Sequence, residues 1–241
     1  MKSEPGETHR EFCWVCHRAR AACLCPAIEP FETGPRFVIL MHPKERRLRT
    51  GTGRMAHLLL RDSVLREGVD FTHDPLVNRL LADPAHEPLL LYPGRHARQV
   101  DQGLPLGGGG QRLLIFVLDA TWPCAKKMLK QSRNLHDLPR LTCAPGARSR
   151  FRFKRQPAPS CLATAEAIFL LLDALESQAP GTVRPPQGHH ALLAVMERMV
   201  RFQIGCANDP GRPGYRRRSH REHDGLSHAR RWLHRSLLFD P

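Results

Sequence analysis

The sequence predicts an α/β protein built on a mostly parallel sheet, with a four-cysteine zinc knuckle at its N-terminal end. Three observations carry this. Unbroken apolar runs at Phe37–Met41, Pro88–Tyr92 and Leu113–Leu118 read as strands buried on both faces, the pattern of parallel sheets. Stretches of helical periodicity alternate with them, as crossover connections require. Four cysteines (Cys13, Cys16, Cys23 and Cys25) crowd into thirteen residues.

The chain has 241 residues, 41% of them hydrophobic, enough for one large domain with appendages. Formal net charge is +14, from 37 Lys+Arg against 23 Asp+Glu. Such an excess favours a polyanionic partner, nucleic acid before acidic membrane, although Arg-rich usage alone can inflate it. The opening MKSEPGETHREF holds no apolar leader, and no run of about 18 apolar residues occurs. A cytoplasmic, soluble protein is expected, with no membrane contact and no obligate protein partner evident. Eight cysteines then point to metal binding or free thiols before disulfides.

Residues 1–30 are expected to form a tail and the knuckle. Cys13-x-x-Cys16 and Cys23-x-Cys25 supply four soft thiolates at tetrahedral Zn2+ spacing, the second pair being tighter than the common ribbon. A redox C-x-x-C needs a βαβ setting that this segment lacks, and unpaired thiols in a tail are the remaining option. A closed four-thiolate site has no open position, so its metal is architectural. Arg18 and Arg20 between the pairs are candidates for phosphate. Pro26–Pro35 reads as a linker.

Residues 31–206 form the expected main domain. Phe37–Met41 ends at His42-Pro43-Lys44-Glu45; then comes Arg49-Thr50-Gly51-Thr52-Gly53-Arg54 and a helix over Met55–Leu65. A helix start with free N–H groups beside Arg54 suits a carboxylate or phosphate, although neither a P-loop nor G-x-G-x-x-G is present. His42 is either a site residue or a satisfied strand-end histidine. Leu76–Ala82 reads as a helix, and Gly107–Gly110 as a flexible connector.

Leu113–Leu118 breaks at Asp119, and Thr121–Arg133 turns helical. Ala125, Met128 and Leu129 form the apolar side; Lys126, Lys127, Lys130 and Arg133 form the other. Asp119-Ala-Thr121-Trp122 thus sits where a buried strand's carboxyl end meets a helix, the place where open α/β sheets bind ligands. The plain alternative is that Asp119 or Thr121 only caps the helix.

Pro139–Cys143 is a candidate strand. Arg148–Arg155 then interleaves Arg148, Arg150, Arg152, Lys154 and Arg155 with Phe151 and Phe153. Cations neutralise phosphates and aromatics stack on unpaired bases, unless the two phenylalanines sit in the core under a solvated basic face. Thr164 is a candidate N-cap for a helix over Ala165–Leu175, with Glu166 in its first turn. A last helix is expected over Gly188–Ile204. Residues 207–241 form a basic extension of unassigned role.

Together these blocks resemble the DTW-domain family. Asp119-x-Thr121-Trp122 is similar to its D-x-T-W signature, and His42-Pro43-x-Glu45…Thr52-Gly53-Arg54 to its H-P-x-E…T-G-R block. Arg155-x-Pro157…Leu162-x-Thr164-x-Glu166-Ala167 resembles R-x-P…L-S-T-x-E-A, with Ala163 where Ser is usual. The cysteine quartet matches as well, and the resemblance spans about residues 13–204.

The resemblance implies a SPOUT-like fold, with a trefoil knot left open. It also implies a tRNA-uridine aminocarboxypropyltransferase, which moves the 3-amino-3-carboxypropyl group of S-adenosylmethionine to uridine N3 and releases 5′-methylthioadenosine. Asp119 is then the catalytic candidate: a carboxylate partly desolvated by Trp122 gains basicity, the alternative being that it holds the co-substrate's ammonium. Thr52, Gly53 and Arg54 suit the methionyl carboxylate; Leu91, Tyr92, Pro93, Leu162 and Thr164 suit the adenosine pocket, with Thr121 and Trp122 beside it. His42, Arg152, Lys154 and Arg155 are expected to meet RNA, and Cys13, Cys16, Cys23 and Cys25 to hold zinc. An rRNA substrate, an RNA methyltransferase and a non-enzymatic zinc-knuckle RNA-binding protein are the competing readings.

Overall fold

The computed structural model describes residues 11–46, 48–103, 110–143, 148–151, 161–209 and 211. In chain order the strands and helices are β1 (Phe12–Cys13), β2 (Arg18–Ala19), β3 (Glu32–Thr33), β4 (Arg36–Met41), α1 (Pro43–Arg46) and α2 (Gly53–Leu59). They continue with β5 (Ser63–Glu67), α3 (Pro75–Leu81), β6 (His86–Leu91), β7 (Arg98–Gln99), β8 (Arg112–Asp119) and α4 (Trp122–Gln131). The last are β9 (Arg140–Thr142), α5 (Thr164–Gln178), β10 (Val183–Arg184) and α6 (His190–Asn208).

Six strands form one sheet in the order β5-β4-β8-β6-β9-β7, and every pairing in it is parallel. β8 lies at its centre because Leu113–Leu118 offers apolar side chains to both faces, all of them buried. One face packs Phe37, Ile39, Ile115 and Val117 under α2, α5 and α6. The other packs Val38, Leu40, Leu114 and Phe116 against α3 and α4 through Val77, Leu80, Met128 and Leu129. This is the expected α/β architecture with a parallel sheet.

Two expectations change. Met55–Leu65 is not one helix: α2 stops at Leu59, Leu60 is extended, and Ser63–Glu67 becomes the edge strand β5 beside β4. The apolar content of this stretch fits either period. The backbone bridge from Phe31 to Leu60 and the pairing with β4 decide for the strand. Pro26–Pro35 is not a linker either. Phe31 is buried beside Leu24 in the main core, and β3 pairs antiparallel with β10.

Candidate functional site

Parallel pairing puts the carboxyl ends of β4, β8 and β6 side by side, so the segments after Met41, Asp119 and Leu91 emerge along one sheet edge. Met41 lies in register with Asp119, and the His42 N–H donates to the Asp119 carbonyl over 3.0 Å. The site grows from this junction.

Asp119 is buried and is held from two sides by helix starts. Gly53, the first residue of α2, lies so close that a Cβ there would sit 2.2 Å from the Asp119 carboxyl carbon. Only glycine permits that approach. Across from it the hydroxyl of Thr164, the first residue of α5, donates to Asp119 Oδ1 at 2.7 Å. Both helices direct their positive ends toward the carboxylate. Thr164 is therefore not the N-cap; Ala163 occupies that position, and the Thr164 side chain is spent on Asp119. The capping alternative also fails for Thr121, which stands at the N-cap of α4 without any side-chain cap bond.

A narrow recess opens above Asp119. Glu45, Gly51 and Arg54 form one wall, and His17 and Arg18 of the knuckle form part of the other. Arg54 is half-buried and faces Asp119, Glu67 and Arg46. Thr50 and Thr52 are buried. His42 is turned inward: its Nδ1 accepts the Lys44 N–H at 3.1 Å, and burial, helped by Lys44 and Lys127, lowers its pKa. Among the described residues Lys44, Arg46, Arg49 and Lys127 are exposed cations at this edge, whereas His42 is buried.

On the neighbouring loop Tyr92 is buried and tilts toward Trp122, with ring centroids 6.1 Å apart, while the Arg140 guanidinium lies over its ring. Tyr92 and Trp122 thus pack the ends of β6 and β8 together. Leu91 is buried; Pro93, Leu162 and Trp122 are partly exposed, and Thr121 is exposed.

Arg152, Lys154 and Arg155 lie outside the described residues, as do Phe153 and residues 212–241. Phe151 is in the core, so the base-stacking reading fails for it. Glu166 is a buried structural anchor: its carboxylate accepts from the Ala163 and Arg150 N–H groups and from the Ser149 hydroxyl. It ties residues 148–151 to the start of α5.

In the knuckle, the Cys13–Cys25 and Cys16–Cys23 sulfurs are 3.6 and 3.7 Å apart, and all four lie within 4.8 Å of one another. A tetrahedron with bonds of about 2.3 Å has edges of about 3.8 Å, so the quartet fits Zn2+. Backbone N–H donation, chiefly from Cys16, brings the Cys13 thiol down to about 6, whereas burial and the neighbouring thiols push Cys25 up to about 12. Four thiolates in this space need a cation. Cys13, Cys16, Cys23 and Cys25 would hold it, and with no open position a metal there would be architectural.

Arg18 does not face phosphate as expected. It is buried, and its Nε donates to the Arg49 carbonyl at 2.8 Å, its Nη2 to the Gly51 carbonyl at 3.1 Å and to Met199 Sδ at 3.0 Å. Arg18 thereby fastens the knuckle to the loop that leads into Thr52-Gly53-Arg54. Sequence reasoning missed this role and gave none to the buried Glu45, although the H-P-x-E block contained it.

The sequence model of the DTW domain matches residues 10–204. The chain belongs to the DTW-domain family. It is 29% identical over 203 residues to tRNA-uridine aminocarboxypropyltransferase 2 of Drosophila melanogaster, covering 81% of this chain and 76% of that protein. It is 26% identical over 237 residues to tRNA-uridine aminocarboxypropyltransferase A of Arabidopsis thaliana, covering 84% and 85%. No solved structure matches the chain. Among the described residues no helix is long and apolar enough to cross a membrane.

Proposed function

We propose that this chain is a cytoplasmic tRNA-uridine aminocarboxypropyltransferase on a SPOUT-like sheet, using S-adenosylmethionine as donor. The observation that carries the reading is the seat of Asp119: a buried carboxylate wedged between Gly53 and Thr164, at the end of the central parallel strand, in a chain similar to two proteins named tRNA-uridine aminocarboxypropyltransferases.

Uridine N3 attacks the γ-carbon of the methionyl chain as the bond from that carbon to sulfur breaks. The sulfonium leaves as neutral 5′-methylthioadenosine, and Asp119 takes the N3 proton. Thr164 donates to Asp119 Oδ1 and so holds the carboxylate in one orientation; Gly53 leaves the room it needs. Arg54 and the start of α2 receive the methionyl carboxylate. Tyr92 and Trp122 wall the adenosine side. Held this way the γ-carbon rather than the methyl faces the nucleophile, and such positioning supplies roughly 7–11 kcal/mol in favourable cases. N3 is engaged in Watson–Crick pairs, so the target is an unpaired uridine. Lys44 and Lys127 at this edge, with Arg152, Lys154 and Arg155, meet the RNA phosphates.

Mass spectrometry of nucleosides from tRNA incubated with the protein and S-adenosylmethionine tests the reading. An aminocarboxypropyl-uridine peak with methylthioadenosine release is expected. A methylated base would make the chain a methyltransferase. Tight tRNA binding without any product would make it a binding protein.

A further inference from the structure

The large apolar side chains that stand exposed among the described residues are Phe12, Trp14, Val15 and Leu48. They are not scattered. Phe12, Trp14 and Val15 sit on the knuckle hairpin, and Leu48 lines the same recess as Asp119, Arg54 and His17. A tryptophan 82% exposed on a small rigid loop is costly in water unless it has something to cover it.

The hairpin explains the geometry. β1 and β2 pair antiparallel, with Phe12 opposite Ala19 and Cys13 opposite Arg18. The turn closes through His17 in a left-handed conformation, φ 55°. Cys13, Cys16 and Arg18 are buried and lie on the inner side, with the sulfur cluster and the 49–51 loop. Phe12 and Trp14 face outward and meet edge to face, with centroids 5.3 Å apart and planes at 76°. The Phe12 ring also lies 5.8 Å from the His17 ring, which borders the recess. A file of three rings therefore runs from the exterior to the mouth of the Asp119 recess.

Its electrostatic surroundings identify the occupant. Arg20, Arg46 and Arg49 are exposed on the knuckle and the adjoining loop, and Arg54 lies at the recess; among the described residues the acidic groups nearby are Glu11, Glu67, paired with Arg46 at 3.6 Å, and the buried Glu45 and Asp119 of the recess itself. Aromatic faces interleaved with arginines match single-stranded nucleic acid, whose bases stack while its phosphates are neutralised. We propose that Trp14, supported edge-on by Phe12, is a stacking platform for an unpaired base next to the target nucleotide. The ring file then guides the strand toward Asp119. This rests on the RNA-modifying reading above and adds a recognition element to it. The metal's contribution would be rigidity, since a platform that does not rearrange loses less affinity on binding.

The test uses the full-length chain carrying Trp14→Ala, Trp14→Phe, Trp14→Leu or Phe12→Ala. Affinity for a tRNA that the wild-type protein modifies is measured without S-adenosylmethionine at several salt concentrations. Zinc content equal to wild type confirms that each knuckle is folded.

Trp14→Ala is expected to weaken binding roughly 5- to 150-fold, the range for one stacked base. The slope of log K against log salt should not change, because no phosphate contact is removed. Trp14→Phe restores most of the affinity and Trp14→Leu does not. Wild-type affinity in Trp14→Ala, or equal rescue by Leu and Phe, overturns the platform. So does a Trp14→Ala phenotype confined to self-association or to binding of phosphatidylserine vesicles, which would give the tip to a second copy or to a membrane. The two readings fail separately. If wild-type protein neither binds nor modifies tRNA, the functional reading falls; if it does both and the Trp14 variants match it, the platform alone falls.

Discussion

At the sheet edge Asp119 is fixed by packing: β8 buries it, Gly53 and Thr164 close on it, and the layers beneath are apolar and continuous. On the facing wall of the recess, His17 and Arg18 belong to a hairpin of two-residue strands. The knuckle around that hairpin contributes little to the main core beyond Leu24, which lies between Cys23 and Cys25. The same recess thus has one wall ordered by hydrophobic burial and one ordered by sulfur chemistry plus a single arginine. Parallel strand ends place a reactive group with little freedom. A segment of this size can match that only with a metal or another covalent restraint. The two walls should therefore fail under different insults.

The largest effect is expected at the knuckle. Cys16→Ser should remove zinc and lower stability by more than about 3 kcal/mol, though by less than the roughly 10–16 kcal/mol of zinc-finger peptides, because Arg18 and Leu24 still pack. Metal analysis and denaturant unfolding check it, and transfer per folded molecule should fall less than stability does. Unchanged zinc stoichiometry would remove the metal assignment.

Gly53→Ala attacks the other wall. Its added carbon meets the Asp119 carboxyl, so an overpacking cost of about 1–3 kcal/mol is expected, with transfer activity reduced more than stability and zinc content intact. Wild-type kinetics would mean that α2 and β8 are not in this contact. Thr164→Val removes a donor without forcing a clash. Losing the donor to Asp119 should cost about 1–3 kcal/mol of carboxylate stabilisation and lower the transfer rate; a hydroxyl in Thr164→Ser should restore much of it.

The smallest effect is a pH dependence. Burial lowers the pKa of His42, His57 and His189, so the folded chain binds fewer protons than the unfolded one near their ordinary value of 6.5. Their stabilisation is fully present above pH 6.5 and is lost as pH falls toward their folded values. The denaturant midpoint should drop between pH 7.5 and 5.5, and His57→Gln should shrink that drop.

Much of the packed wall was legible in the sequence because strand runs are local. Leu113–Leu118 and the break at Asp119 announce a central strand and its carboxyl end, and the structure puts Asp119 there. The cysteine spacing was equally direct. What stayed hidden depends on partners distant in sequence. Ser63–Glu67 became a strand because β4 offered an edge. Thr164 left the capping role because Asp119, 45 residues earlier, lay within reach. Arg18 turned inward because the 49–51 carbonyls, 31 to 33 residues away, needed a donor. A charge on a cysteine-rich loop reads as solvent-facing until that loop's neighbour is known.

The central claim is that Asp119 acts on the reacting uridine rather than merely ordering the edge. Single-turnover transfer by Asp119→Asn, with tRNA and S-adenosylmethionine saturating, tests it most directly, because Asn keeps the shape and an oxygen for Thr164 to bond. The account predicts a rate lower by roughly 10^2–10^4-fold, with thermal stability, zinc content and tRNA affinity close to wild type. A wild-type rate in that variant would contradict it.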